Sequence, residues 1–357
     1  MSSARYSMIG LMSGTSGDGL DLAFCHFEFQ QEWNFEIVLA ETIPFPEKLG
    51  QNLADSHLLS ALELALLDVE FGKWMGDQVK RFCKENQIKP MAVASHGHTV
   101  FHQPHKGLSL QIGNGWALHE ASGEVVICDF RMKDVQLGGQ GAPLVPIGDA
   151  LLFPKIDFCL NLGGISNISM QSGDKRIAFD VTPFNLLLNA EASKLGKPYD
   201  DGGAWAKDGI LNLELLEALN SLPFYQHSRA KSLGRENMEQ DFFPLIDHFG
   251  LSPQDNLRTL VEHYAFQIAK VILQNSTKEK PILLITGGGA YNHFFQERLD
   301  HYLSGNWELF QASKELIEFK EALVFAFLGV LRLRGEANCL SSVTGASIDN
   351  CGGVVYQ

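Results

Sequence analysis

The sequence predicts an α/β protein built from two similar lobes. A strand, glycine-rich turn, strand pattern opens the chain and restarts near its middle. Stretches of helical periodicity alternate with these strands, as in layered α/β architectures. The 357 residues also suit two domains, at about 150 residues each. The boundary is drawn between 150 and 151, giving lobes 1–150 and 151–357.

Tyr6 to Met12 is a short apolar run, Ser13 to Gly19 is rich in Ser and Gly, and Leu20 to Phe29 resumes the apolar pattern. A third strand, Phe35 to Ile43, follows. Residues 56–85 read as a helix whose apolar face carries Leu59, Leu62, Leu66, Val69, Val79 and Phe82. Met91 to Ser95 and Glu124 to Cys128 are short strands. Gly138-Gly139-Gln140-Gly141-Ala142-Pro143 is a breaker-rich run suited to a crossing loop between the halves. The pattern then restarts with Asp157 to Leu162, the turn Gly163-Gly164, Ile165 to Met170, a second turn, and Arg176 to Phe179. Further on, Ser252-Pro253-Gln254-Asp255 supplies an N-cap, a Pro at the first helical position and an acid at the third. Leu257, Leu260, Val261, Tyr264 and Ile268 form the apolar face of that helix. Pro281 to Thr286 is a strand running into three glycines, and Glu321 to Leu333 is apolar enough to be a buried helix.

Composition narrows the function. A net charge of −14 argues against nucleic-acid binding, which needs a basic face. It does not exclude a nucleotide, because backbone N–H groups and a metal ion can hold phosphate. Hydrophobic residues at 45% and charged residues at 20% describe a compact chain. No apolar run reaches the roughly 18 residues of a membrane span, and the N-terminal residues do not read as a secretory signal. The six cysteines are scattered without a C-x-x-C pair, as expected of a reduced, cytoplasmic protein.

Five segments could carry chemistry. Ser13 to Asp21 holds three glycines that can turn N–H donors toward a phosphate and three hydroxyls that add donors, with Asp18 placed to hold Mg²⁺; a plain hairpin turn is the alternative. The terminal Lys of a Walker A loop is missing. Asn161 to Asn167 repeats the glycine turn in the second half, with the same two readings. Thr286-Gly287-Gly288-Gly289-Ala290-Tyr291-Asn292 follows a buried strand and lacks the dinucleotide pattern, so a mononucleotide fits it better. His96, His98, His102 and His105 invite a metal reading, but without cysteine or carboxylate company a ligand-facing strand end is favoured. On an alternating strand, His96, His98 and His102 would share a face. Asp180 ends a strand, where an aspartate is well placed for a general base but, taken alone, is more often a cap or turn residue. Arg131 and Glu321 are either substrate contacts or surface charges.

These motifs together resemble the anhydro-N-acetylmuramic acid kinase family. The resemblance begins at Gly10-Leu11-Met12-Ser13-Gly14-Thr15-Ser16-Gly17-Asp18-Gly19-Leu20-Asp21. It continues through Ser95 to Val100, Asp129 to Arg131, Gly138 to Pro146, Asn161 to Asn167, Lys231 to Glu236, Thr286 to Asn292, Lys320 to Ala322 and Ser342 to Ala346. It spans almost the whole chain in order. It implies the fold of sugar kinases, actin and heat-shock ATPases: two duplicated actin-like, ribonuclease H-like lobes with the nucleotide in the cleft between them. It also implies cytoplasmic recycling of peptidoglycan amino sugar, with ATP and Mg²⁺ as cofactors and no membrane or nucleic-acid partner. A homodimer is suggested by the family alone.

The implied roles follow the motifs. Gly14, Thr15, Ser16, Gly17, Asp18, Gly19 and Asp21 match the phosphate-binding segment, with Asp18 toward the metal. Gly163, Gly164 and Asn167 match its partner hairpin, and Gly287, Gly288, Gly289 and Asn292 the adenosine side. His98, Thr99, Arg131 and Glu321 fall at sugar-binding positions, and Asp180 at the base that activates water. Two segments depart from the family pattern. Its usual Asp-Thr-Gly-Pro-Gly-Asn reads Asp180-Val181-Thr182-Pro183-Phe184-Asn185 here, and its Ser-His-Gly-Gln carries His98 in place of Gln. A Phe in place of a Gly fills space and disfavours positive φ. Competing functions are a kinase or ATPase of the same fold on another substrate, and a catalytically impaired nucleotide- or sugar-binding sensor. Retention of Asp180 favours catalysis.

Overall fold

The computed structural model describes residues 5–13, 19–226, 232–234 and 237–357. The chain forms two compact units, one of Met1–Phe153 with Phe319–Gln357, the other of Pro154–Glu318. The expected boundary lies beside the first crossing. The last segment differs from expectation, because residues 319–357 rejoin the first unit instead of completing the second. The pairing of the final strand with an early one explains this return. The breaker-rich run at 138–143 is likewise internal to the first unit.

In the first unit, β1 (Arg5–Ser13), β2 (Gly19–Phe29) and β3 (Trp33–Pro44) form an antiparallel meander. On the other side of β1 lie β4 (Ala92–Ser95) and, after a hairpin of β5 (His98–Gln103) with β6 (Leu108–Ile112), β7 (Val126–Cys128). Both β4 and β7 are parallel to β1, so the order reads β3-β2-β1-β4-β7. The second unit repeats this. There β8 (Phe158–Leu162), β9 (Ile165–Ser172) and β10 (Lys175–Pro183) form the meander. Then β11 (Ile282–Thr286) and β12 (Glu308–Leu309) add in parallel, giving β10-β9-β8-β11-β12. The first sheet gains one further strand at its β7 edge, β13 (Val354–Tyr356), antiparallel to β7. Identical order and directions in both sheets are the ribonuclease H-like arrangement of actin-like proteins, present twice.

The helices pack where their apolar faces require. The helix Pro253–Asn275 starts at Ser252, whose side chain accepts from Asp255 N, and Leu257, Leu260, Val261, Tyr264 and Ile268 are all fully buried. The helix Ala61–Asn86 departs from expectation. A capping box of Ser60 with Glu63 starts it at 61, after a 3₁₀ turn at Ser56–Leu58. Leu67, Phe71, Met75, Val79 and Phe82 face the core, whereas Leu62, Leu66 and Val69 are exposed at 70%, 61% and 49%. Two apolar stripes coexist on this helix, and only the one carrying Phe71 and Met75 is continuous over the length that meets the sheet.

The helix Lys314–Arg334 has non-helical φ/ψ at Phe319, where the chain passes from the second unit into the first. Beyond the kink, residues Ala322 to Leu328 are almost completely buried. Its backbone approaches β1 so closely that a Cβ on Gly10 would lie 1.8 Å from the carbonyl oxygen of Ala322. Neither a strand nor a helix backbone can move aside at small cost. Replacing Gly10 by Ala should therefore destabilise the first unit by about 2 kcal/mol or more through overpacking. Calorimetric melting would register a fall of several degrees, and an unchanged melting point would refute the close approach.

Candidate active site

The carboxylate on the second unit stands on an irregular strand. Asp180 pairs with Asn167 and Thr182 with Ser166, so Val181 is an extra residue between them. Such a bulge breaks strand alternation and re-aims a side chain. Here Val181 and Thr182 both remain buried, at 1% and 0% exposure, while Asp180 is partly exposed. Its Oδ2 accepts from Leu233 N at 2.9 Å and from Ser232 Oγ at 3.2 Å. Among the described residues Oδ1 has no hydrogen-bond partner and can receive a proton. Burial raises the Asp180 pKa above the ordinary aspartate value, opposed by these two donors.

A cavity of about 440 Å³ lies in the same unit, within the usual size of small-molecule sites. Asn185, Tyr199, Asp201, Gly288, Tyr291 and Asn292 are among its lining residues. Gly287 takes φ +80° directly after β11, and a Cβ there would lie 2.7 Å from Asn161 Oδ1. Gly289 is pressed against the Phe184 ring, whose Cε1 lies 2.4 Å from the Cβ position. Gly288 is different: its Cβ position meets nothing nearer than Asn185 Nδ2 at 3.7 Å, so this residue leaves room at the cavity edge. Asn292 lines the cavity, but its Oδ1 already caps the helix His293–Leu303 by accepting from Phe295 N at 2.9 Å.

The first unit gathers a cationic and acidic group. Arg131 donates from Nε and Nη2 to His96 Nε2 at 3.0 and 2.8 Å, and from Nη1 to Gly141 O at 2.7 Å. Burial first, then the Arg131 charge, holds the His96 pKa well below the usual range. The imidazole is therefore neutral and its Nε2 lone pair can accept. Burial lowers the Arg131 pKa to about 10, opposed by nearby Glu321, so the guanidinium stays charged at neutral pH. The Glu321 pKa is raised by burial, opposed by Lys320 and Arg131. Next to it, the buried Lys320 pairs with buried Asp149 at 2.7 Å. Gly141 is held from its other side by buried Asp134, whose Oδ2 accepts Gly141 N at 2.8 Å. Oδ1 of Asp134 accepts from Thr344 Oγ1 and Asn350 Nδ2, tying the 138–143 run to the C-terminal segment.

The histidines do not share a face. His96 precedes β5, and β5 has a register shift between Thr99 and Phe101 that breaks the alternation from His98 to His102. His98 Nδ1 bonds Ser13 Oγ at 3.1 Å and His102 Nδ1 bonds Ser109 Oγ at 3.0 Å, so each imidazole has its own partner. Burial lowers the pKa of both. Thr99 Oγ1 accepts from Gln111 Nε2.

Of the phosphate segment, Gly14, Thr15, Ser16, Gly17 and Asp18 lie outside the described residues. Gly19 opens β2 opposite Pro44, and Asp21 accepts from Thr42 Oγ1 at 2.6 Å. In the partner hairpin the carbonyls of Gly163 and Gly164 accept from Asn185 N and Phe184 N, which ties this turn to the segment after Asp180. Asn167 sits across the strand from Asp180. Gly288, Gly289 and Asn292 meet at the cavity. Sequence reasoning missed His96 as the Arg131 partner, and missed Tyr199 and Asp201; Tyr291 lies in the glycine segment it singled out, without a role of its own. The run Asp200-Asp201-Gly202-Gly203 carried a signal, since acids beside two breakers mark an ordered turn.

Two ribonuclease H-like units, with a glycine turn at a cavity of small-molecule size and a carboxylate on a bulged strand, define a protein with the fold of the actin-like kinases and ATPases. A family profile described as anhydro-N-acetylmuramic acid kinase matches residues 6–357. A protein of that name from Sulfurimonas denitrificans is 34% identical over 98% of this chain and 99% of its own length. Another from Pasteurella multocida is 36% identical over 100% and 98%. The chain belongs to the anhydro-N-acetylmuramic acid kinase family. Among solved structures, a ROK hexokinase from Thermus thermophilus matches 92% of this chain at 13% identity, with a TM-score of 0.40.

The two cavity glycines should respond differently to substitution. Gly289→Ala should cost about 1–3 kcal/mol, because Phe184 is fully buried and cannot retreat. Gly288→Ala should change stability by less than about 0.5 kcal/mol, as for an open surface site. Denaturant unfolding of both variants checks the contrast, and equal losses would contradict it.

Proposed function

We propose that this protein is the ATP-dependent kinase its family membership indicates: a phosphotransferase that opens 1,6-anhydro-N-acetylmuramic acid with water and phosphorylates O6. The products are N-acetylmuramic acid 6-phosphate and ADP, in recycling of peptidoglycan within the cytoplasm. The observation that carries the mechanism is Asp180 on a bulged strand, with Oδ2 held by two donors and Oδ1 without a hydrogen-bond partner among the described residues. No helix among the described residues is long and apolar enough to cross a membrane.

Water attacks the anomeric carbon while Asp180 takes its proton. The bond from that carbon to O6 breaks, and O6 receives the γ-phosphoryl group as ADP leaves. General-base help of this kind contributes roughly 10²–10⁴ in rate. Phosphoryl transfer needs positioning and charge neutralisation more than covalent chemistry. The cavity beside Gly288 and Gly289 suits the adenosine part of ATP, with Tyr291 and Tyr199 offering rings to a flat base. Gly14 to Gly19 and Gly163-Gly164 are assigned to the phosphates, and Asp18 to Mg²⁺, which supplies charge neutralisation when bound. Arg131, anchored on His96 and Gly141, offers a fixed cation to the sugar carboxylate. Glu321, His98 and Thr99 are assigned to its hydroxyl and amide groups.

Incubating the purified protein with the anhydro sugar, ATP and Mg²⁺ in ¹⁸O-labelled water tests this reading. The label should enter at the anomeric carbon of a phosphorylated product. Label found only in inorganic phosphate would identify an ATPase instead.

Three consequences follow from the partly buried carboxylate. Asp180→Asn should lower turnover by at least 10²-fold with nucleotide affinity nearly intact, because the amide cannot take the proton. Turnover within about tenfold of the parent would refute the assignment. The same variant should melt at an equal or higher temperature near neutral pH. A carboxyl whose folded pKa is raised is harder to ionise in the native state, so its charge destabilises the fold above that pKa and the neutral amide does not. By the same sign, kcat/KM should fall as pH drops through a raised Asp180 pKa. The acid limb should lie above the usual aspartate value near 3.9, and a limb at or below it would count against this base.

A further inference from the structure

Behind Asp180 runs a buried chain of polar groups that the reaction as described does not use. Thr182 Oγ1 lies 2.7 Å from Tyr225 Oη, and Tyr225 Oη lies 2.8 Å from His263 Nε2. His263 Nδ1 lies 2.8 Å from Asn220 Oδ1, which also accepts from Gln267 Nε2 at 2.8 Å. Thr182 and His263 are fully buried, and Tyr225 and Gln267 are nearly so, at 6% and 4%. The backbone of Thr182 is held as well, since its carbonyl accepts from Ser166 Oγ at 2.8 Å.

The direction of every bond can be assigned. Asn220 Oδ1 is an acceptor, so His263 Nδ1 carries the proton. Burial lowers the His263 pKa to about 3, so the ring is neutral and Nε2 is an acceptor. Tyr225 must then donate to Nε2, which leaves its oxygen to accept from the Thr182 hydroxyl. The chain therefore has one polarity, from Thr182 through Tyr225 to His263 and Asn220. It links the strand residue directly after the bulge to the long helix Pro253–Asn275 and to the end of the helix Leu213–Asn220. Valine has the size of threonine but no hydroxyl, and glycine has neither, so only a hydroxyl residue at 182 can close the chain.

We propose that Thr182, Tyr225 and His263 form a positioning relay that pins the bulge after Asp180 and so sets the direction of its carboxylate toward the reacting water. The relay rests on the reading of Asp180 as general base. None of its three members touches the reacting atoms, so they are positioning residues. A strand bulge is a flexible place to mount a catalytic group, because an unpaired residue leaves the ladder open on one side. Geometry errors near 1 Å can reduce rates about 10²-fold. A buried hydrogen-bond chain with all its members satisfied holds one arrangement, since any slip strands a polar group away from water.

The test is a set of variants of the full chain: Thr182→Val, Thr182→Ser, Tyr225→Phe, the double Thr182→Val/Tyr225→Phe, and Asp180→Asn. Thr182→Val and Tyr225→Phe should each lower kcat for the anhydro sugar about tenfold, with KM for ATP within twofold. In both, the acid limb of kcat/KM should move to lower pH, as a loosened Asp180 gains contact with water. Thr182→Ser should restore rate and limb. The double variant should lose no more than about threefold beyond either single one, as expected of groups acting as a unit. An unchanged kcat and limb in Thr182→Val would overturn the proposal, as would equal losses in the Val and Ser variants, which would mean packing. If Thr182→Val fails to fold, Tyr225→Phe with an unchanged limb overturns it alone. If Asp180→Asn keeps turnover within tenfold, the base assignment fails and the relay's role falls with it. If Asp180→Asn is inactive while the relay variants match the parent, only the relay is wrong.

Discussion

A carbonyl oxygen of the helix Lys314–Arg334 occupies the space where a side chain at residue 10 would begin. Much of the first unit follows from that contact. The glycine in the central strand lets the helix backbone settle onto the sheet, and the helix buries Leu323 to Leu328 there. It also delivers Glu321 one residue before the contact, beside Lys320 in its ion pair with Asp149. A bulkier residue at position 10 would lift the helix and move Glu321 with it. The opening motif of the sequence and the Lys-Glu-Ala motif three hundred residues later are thus two sides of one packing contact.

Electrostatics in this unit depend on groups kept neutral as much as on groups kept charged. Arg131 is held by two uncharged acceptors, the His96 ring and the Gly141 carbonyl. Neither neutralises its charge, and the carboxylate that bears on the guanidinium is the nearby Glu321, which is not one of its hydrogen-bond acceptors here. An aspartate at 96 would hold the arginine as firmly but would consume that charge in an internal ion pair. Asp134 works by a related economy of charge: its carboxylate is satisfied by neutral donors, and it organises the 138–143 run and the C-terminal segment around the arginine without competing for it.

In the second unit the departures from the family motif are compensated locally. Phe184 takes φ −139°, so the position does not call for the positive φ that favours glycine. Its ring fills space against Tyr264 and Phe295, with centroids at 5.3 and 4.9 Å, and against the bare backbone of Gly289. Phe184 therefore sits between the strand that carries Asp180 and the glycine turn at the cavity. Thr182 is absorbed in the same way, by a buried partner for its hydroxyl. Both side chains become part of the support of the site, which agrees with a working enzyme more than with a decayed one.

The sequence by itself determined the class of fold and the chemistry available to it. Strand, glycine turn, strand recurs because strand periodicity and breakers are local properties, and both meanders appear where that pattern lies. The Ser252 cap and the apolar face from Leu257 to Ile268 were legible for the same reason. Asp180, Arg131 and Glu321 could be singled out by motif, since their residue types are read directly. Only the tertiary structure decided which apolar stripe of the helix Ala61–Asn86 is buried, because both stripes have helical spacing and the sheet selects one. It alone showed that residues 319–357 return to the first unit, a choice made by pairing across long sequence separation. His96 as the partner of Arg131, the bulge at Val181 and the chain from Thr182 to His263 were also invisible in one dimension. Each joins residues from different elements, and such contacts leave no periodic trace in a single sequence.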